Sequence, residues 1–330
     1  MTTPTADDDP RTDATGPTTA AGRRFVVIWN PTSGSKAGLT TNSIGEPELR
    51  DAMRTHGLGD DLFASPSEAA ARERIRAAVE AGVDVIVAAG GDGTADLVAE
   101  GIRGSSSALG ILPLGSAMNV ARSLGIPRDL DAAAAILATG DIATIDVGRA
   151  PDGSFYEIAS VGINAAVLGE AHKLAEGEYH SILGILRAIV AYRPATMIIE
   201  LDNETVRTGA LMLVVANAPF TGVGLTLAPD ARLDDGLFDV AVFRHFSRWE
   251  LIRHGFAILG GRRAYSPKIR TYRSSRVRIS SRRPLPARAD DRDLGSTPLE
   301  LTVDAKAVRV VVPSRAARAA SAAGGPALRP

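Results

Sequence analysis

The stretch VDVIVAAGGDGTADLVAEG, residues 83–101, constrains this chain more than any other. Its apolar run has no alternation, which reads as a strand buried on both faces. A helical pattern follows at once, so Gly90, Gly91, Asp92, Gly93 and Thr94 form the corner between them. The same order recurs on both sides. FVVIW, residues 25–29, runs into NPTSG, and ALGILPLG, residues 108–115, runs into a helix over about 118–124. Further helices are expected over about 67–81, stopped by Gly82, and over about 129–139. Strands alternating with helices predict an α/β domain with a parallel sheet covered on both faces.

Parallel sheets bind ligands beyond the C-terminal ends of their strands. Three loops fall there. They carry Asn30, Ser33 and Gly34, then Gly90 to Thr94, then Gly115 and Ser116. Glycine lets backbone N–H groups approach a ligand closely, and helix N-termini add partial positive charge. One such loop alone reads as a plain turn, and Asp92 alone as a helix cap. Three together predict a polyphosphate cradle. The cradle lacks the Lys-Ser/Thr ending of a P-loop and the dinucleotide glycine spacing. A carboxylate beside phosphate-binding amides calls for Mg²⁺ or a ribose hydroxyl in between.

From about residue 145 the pattern becomes many short β-like runs, broken by helical stretches at about 181–192 and 248–259. This predicts a β-rich, sandwich- or barrel-like second domain. The expected limits are a nucleotide domain over 23–143 and a substrate domain over 144–313. Polar tails over 1–22 and 314–330 have the composition of disorder. The chain of 330 residues contains no cysteine, which excludes disulfides and thiolate chemistry and fits the reducing cytoplasm. Its five histidines show no metal-like spacing. The net charge of −1 gives no general attraction to nucleic acid. No apolar run is long enough to span a bilayer, so lipid contact is expected to be peripheral. Residues 253–288 carry many Arg and Lys and no acid. They read either as a dock for anionic lipid headgroups or as a solvated strand face.

These motifs together resemble the diacylglycerol kinase catalytic family, in its bacterial lipid-kinase and sphingosine-kinase-like branch. NPTSG, GGDGT, LGILPLGSAMNVARSLGIP, FYEIASVGINAAV, the block over 217–240 and the closing LGSTP carry the resemblance. GGDGT alone also occurs in NAD kinases and phosphofructokinase-like folds; the 217–240 block favours the lipid kinases. The resemblance implies a phosphofructokinase/NAD-kinase-like nucleotide domain and a sandwich-like lipid domain. It also implies ATP and Mg²⁺ in the cleft between them and a lipid substrate with a free hydroxyl. A homo-oligomer is compatible with it. Asp234, Asp235 and Gly236 match an acidic turn tied to the metal network, with Asp235 the candidate ligand.

The departures matter as much. The family's Asp-Gly-Glu triplet falls on Asp290, Asp291 and Arg292, so an arginine replaces a carboxylate expected to help activate the acceptor. Arginine cannot accept a proton near neutral pH. Asp290 or Asp293 is then the expected base. Ser116 keeps the hydroxyl of a usual Thr. Leu97 replaces a Glu, Met118 an Asn, Asn119 an Asp, Glu157 an Asn and Asn164 an Asp. The readings left open are a lipid kinase, a catalytically weakened nucleotide- and lipid-binding homologue, and an NAD-kinase-like enzyme.

Overall fold

The computed structural model describes residues 22–33, 35–36, 39–40, 44–163, 165, 194–222, 225–244, 250, 253 and 268–315. Gly34, Asn164, both tails and nearly all of the helical stretches expected at 181–192 and 248–259 lie outside the described residues.

The first half runs β1 (Phe25–Trp29), β2 (Ser35–Lys36), β3 (Leu39–Thr40), α1 (Glu46–Thr55), β4 (Leu62–Ala64), α2 (Glu68–Glu80), β5 (Val85–Gly90), α3 (Asp92–Ile102), β6 (Ala108–Pro113), α4 (Asn119–Ser123) and α5 (Leu130–Thr139). β4, β1, β5 and β6 are neighbours, and all three pairings are parallel. Every residue of β1, β5 and β6 is buried, as a sheet covered on both faces requires. α2 begins at Ser67, whose hydroxyl accepts the N–H of Ala70. Asp129 does the same for α5 through Ala132. The sequence pattern does not announce α1 or β4. α1 buries Leu49, Ala52 and Met53, so its apolar face is only three residues wide, and β4 has just three residues.

The second half is β7 (Asp141–Ala150), β8 (Gly153–Phe155), β9 (Ile158–Gly162), β10 (Ala195–Glu200), β11 (Thr205–Ala216), β12 (Phe220–Thr221), β13 (Leu225–Thr226), β14 (Phe238–Arg244), β15 (Ile269–Ser274), β16 (Arg276–Ser281), β17 (Pro286–Ala289), β18 (Arg292–Ser296) and β19 (Leu299–Val312). Its strand pairings are antiparallel. Phe155, stacked on Phe238 at 5.5 Å, anchors its core with Val215, Val240 and Leu301.

β19 joins the halves. It pairs with β16 through Leu299 to Thr302, with β7 along most of its length, and with β6 in parallel at Val310 and Leu109. Val308, Val310, Val311 and Val312 therefore pack in the first half's core. Fifteen of the described strands, drawn from both halves, form one continuous sheet with the path β18-β17-β9-β11-β10-β16-β19-β6-β5-β1-β4; β7, β8, β14 and β15 branch from it, and β2-β3 and β12-β13 are separate hairpins.

Gly148 of β7 tests this packing. A Cβ there would lie 2.3 Å from the ring of fully buried Phe155. Gly148→Ala is expected to cost about 1–3 kcal/mol, the usual penalty of overpacking. Urea denaturation read by circular dichroism measures it.

Candidate functional site

The three glycine-rich loops meet at the C-terminal edge of β1, β5 and β6. The Asn30 N–H donates to Ala89 O at 3.0 Å, tying the first loop to β5. Asn30 Oδ1 accepts from Thr32 N at 3.0 Å and Thr32 Oγ1 at 2.8 Å, an Asx turn that shapes the loop. The N–H groups of Leu114 and Gly115 both donate to Gly90 O, at 2.9 and 3.1 Å. Glycine is demanded by closeness. A Cβ on Gly115 would stand 2.5 Å from Gly91 Cα, and one on Gly90 would stand 2.3 Å from Thr94 Oγ1 and 3.0 Å from Ser33 Oγ. A Cβ on Gly93 would meet open space. Thr94 is buried, its hydroxyl beneath Gly90, whereas Ser116 is exposed. Arg128 braces the third loop by donating to Gly115 O and Ser116 O, each at 2.7 Å.

Asp92 is the first residue of α3, yet its carboxylate serves α4. It accepts Met118 N at 2.8 Å and Val120 N at 3.4 Å. Met118 takes a left-handed conformation (φ 55°), and this bond holds it there. Burial raises the Asp92 pKa, and the backbone amides oppose that rise. Asp92 thus acts first as a staple between the second and third loops.

Behind it lies a group of carboxylates drawn from both halves. Asp96 follows Asp92 by four residues, which puts both on one face of α3. Burial drives the Asp96 pKa well above the usual range, and Asp290, Glu157, Asp92 and Asp291 push it the same way. Burial raises Glu157 to about 8, with Asp290 and Asp92 adding to the rise and hydrogen bonds from Asn119 and Thr221 opposing it. Asp290 sits in the β17–β18 turn at φ 48°. Its Oδ2 accepts Tyr156 N at 2.8 Å, and its Oδ1 accepts Glu157 N at 3.1 Å and Ile158 N at 3.0 Å. Burial lifts Asp290 to about 6 against the pull of these three amides. The Tyr156 hydroxyl is buried without a partner among the described residues, its pKa raised by burial and then by Asp96.

Other expected residues keep different company. Asp293 is exposed, and its carboxylate accepts the N–H of Gly295 at 2.8 Å within its own hairpin. Arg292 donates to Asp152 O at 3.1 Å and to Ser154 O, so it clamps the β7–β8 turn. Asp235 pairs with Arg273 and accepts Leu237 N at 3.1 Å. It is not among the main groups acting on Asp96, Glu157 or Asp290. Much of the described part of the basic stretch is matched in charge. Arg276 and Arg278 lie on the exposed face of β16 and pair with Glu300, Arg278 also approaches Glu200, and Lys268 pairs with Glu250. Among the described residues no helix is long and apolar enough to cross a membrane.

The residues suit a nucleotide with a hard cation. The loops offer amides and open space at Gly93, and the carboxylates of Asp92, Asp96 and Asp290 are an oxygen donor set, whereas that of Glu157 is taken up by Asn119. Among the described residues none of Asp92, Asp96 and Asp290 forms an ion pair, and no three acids form a ready metal chelate. That fits a cation completed by phosphate and water, as Mg²⁺ prefers. Sequence reasoning missed Asp96 and Arg128; the i, i+4 spacing from Asp92 was the signal for the former.

The buried acids make stability depend on pH. Glu157 loses its proton near 4.5 when unfolded and holds it to about 8 when folded. Between those values the folded state binds more protons, so stability falls as pH rises through that window. Glu157→Gln should flatten the decline, as urea midpoints at pH 5 and 8.5 in metal-free buffer will show. In the loops, Gly115→Ala should destabilise by about 1–3 kcal/mol, while Gly93→Ala leaves the melting temperature unchanged.

Comparison with known proteins agrees with this fold. The family described as "Diacylglycerol kinase catalytic domain" matches residues 24–150, and "YegS C-terminal NAD kinase beta sandwich-like domain" matches residues 157–312. A probable lipid kinase YegS-like of Klebsiella pneumoniae is 32% identical over 214 residues, covering 62% of this chain and 72% of the relative. A diacylglycerol kinase of Bacillus subtilis is 27% identical over 304 residues, covering 89% and 98%. The crystal structure of a putative diacylglycerol kinase from Bacillus anthracis str. Sterne shares the fold, with TM-score 0.70 and 19% identity over 89% of this chain and 98% of that one. With both domain types in order and two-thirds or more of a lipid kinase matched at this identity, the chain belongs to the diacylglycerol kinase catalytic-domain family of lipid kinases.

Proposed function

We propose that the chain transfers the γ-phosphoryl group of ATP to a hydroxyl of diacylglycerol or a related lipid, with Mg²⁺, in the cleft between the nucleotide loops and the β-rich half. One observation carries the reading: hydrogen bonds lead from Asp92 of GGDGT to the amides flanking Asn119, from Asn119 to Glu157, and from the Glu157 N–H to the Asp290 carboxylate of the second half. Phosphoryl transfer depends mainly on positioning and on neutralising charge. The amides of the three loops orient the phosphates. Bound Mg²⁺ supplies the neutralising charge, and Asp96 is better placed than Asp235 to hold it, because Asp235 already has Arg273.

Asp290 is the proposed base. A carboxylate offers about four acceptor positions, and backbone amides take three here. The remaining one can receive the proton of the lipid hydroxyl. A pKa lifted to about 6 suits a base working near neutral pH. The weakened-homologue reading drew on Arg292. Its bonds to Asp152 and Ser154 give that arginine a structural task and leave Asp290 in place, which supports the kinase. Contact with anionic headgroups through residues 253–288 belongs to the same proposal. Arg270 and Arg282 are exposed there and form no ion pair among the described residues.

The test is incubation with labelled ATP, Mg²⁺ and a panel of lipids. Phosphorylated lipid is expected, and Asp290→Asn should slow its formation by about 10²–10⁴-fold while calorimetry still detects ATP binding. Binding of ATP with no transfer to any lipid would leave the weakened homologue as the reading. Product from NAD without lipid would favour the NAD-kinase-like one.

A further inference from the structure

Besides β19, the two halves touch where α4 meets the β12–β13 hairpin and the β8–β9 bend. Asn119 opens α4 and is 1% exposed. Its Nδ2 donates to Glu157 Oε1 at 3.0 Å and to Gly222 O at 2.7 Å. Three residues on, and so on the same face, the Arg122 guanidinium lies 4.7 Å from the ring centre of Phe220. Both contacts cross from the nucleotide half to the β-rich half. They sit between two bonds already described: the Asp92 carboxylate holds the N–H groups that flank Asn119, and the Glu157 N–H donates to Asp290. A hydrogen-bonded series thus runs from the GGDGT loop through α4, Asn119 and Glu157 to Asp290. Asn119 and Glu157 are also the positions where this sequence carries an amide in place of the resembled family's acid and an acid in place of its amide. The structure puts the exchanged pair in contact, so one donor and one acceptor are kept across the boundary.

We infer that Asn119 and Glu157 are positioning residues whose hydrogen bond sets Asp290 in register with the phosphate loops. Neither touches a reacting atom in this scheme. The bond fixes the distance between the group that receives the proton and the groups that hold the phosphates, a distance on which transfer depends steeply. The inference rests on the kinase reading above.

Glu157→Met gives the sharpest test. It removes the acceptor at similar length and also removes a buried carboxyl group, so the variant should fold at least as stably as the parent. An interaction that served only stability would leave such a variant fully active. Positioning predicts the opposite: kcat for lipid phosphorylation falls by about 10–10²-fold, while the KM for ATP and its calorimetric affinity stay within about twofold. Glu157→Gln retains an acceptor oxygen and should keep kcat within about threefold of the parent. Asn119→Asp should lose kcat as Glu157→Met does, and adding Glu157→Gln, which reverses donor and acceptor, should recover about tenfold of it. An active parent whose Glu157→Met variant keeps its kcat overturns the inference alone. So does a double variant no faster than Asn119→Asp. A parent that transfers no phosphate sinks the kinase reading and this inference together.

Discussion

The candidate site rests on the contact between two loops that are 24 positions apart in Gly91 and Gly115, near enough that one added methyl group would overlap the opposite backbone. Such closeness puts polar backbone against polar backbone, and the Asp92 carboxylate makes the arrangement stable. It reaches out of α3 to take the amides at the start of α4, so Met118 stays at positive φ. A left-handed non-glycine residue costs on the order of 1 kcal/mol or more. A hydrogen bond to a charged group contributes about 1.5–3 kcal/mol, enough to offset it. Without that carboxylate the third loop would lose its place beside the second, and α4 its grip on the far half.

Burial of several carboxylates is the second constraint. Removing Asp96, Glu157 and Asp290 from water without ion pairs among the described residues costs stability, and the raised pKa values express that cost. Asp290 is eased by three consecutive N–H groups from the bend between β8 and β9. Glu157 is eased by Asn119. Asp96 is pushed well above the usual carboxylate range, first by burial and then by the neighbouring carboxylates. Clusters of this kind, unfavourable for the fold and drawn from separate elements, are common where chemistry is done. Here they mark the seam between a parallel sheet and an antiparallel one.

The glycine-rich loops were legible because their signal is local. Each glycine cluster directly follows an apolar run, and a parallel sheet brings such strand ends to one edge. α1 escaped notice because only three of its residues face the core, and β4 because it is three residues long. In sequence, the acid-rich turn offers Asp293 and Asp290 alike as a base. The hairpin register separates them, since it exposes Asp293 and aims Asp290 at the β8–β9 bend. Asn119 and Glu157 stood out in sequence only as two unrelated departures, because 38 positions and a domain boundary lie between them.

The sequence by itself determined the α/β order of the first half, the β-rich character of the second, the three glycine-rich loops and the family pattern. All of these depend on residues a few positions apart, within reach of periodicity and turn chemistry. Tertiary structure decided what each charged side chain does. Asp92 staples α4, Arg292 clamps a turn, Asp235 meets Arg273, and Asp96 joins the acids of the far half. The physical reason is that a carboxylate's role follows from burial and from its nearest partners in space. Those partners are chosen by β19, which ties both halves into one sheet from the far end of the chain.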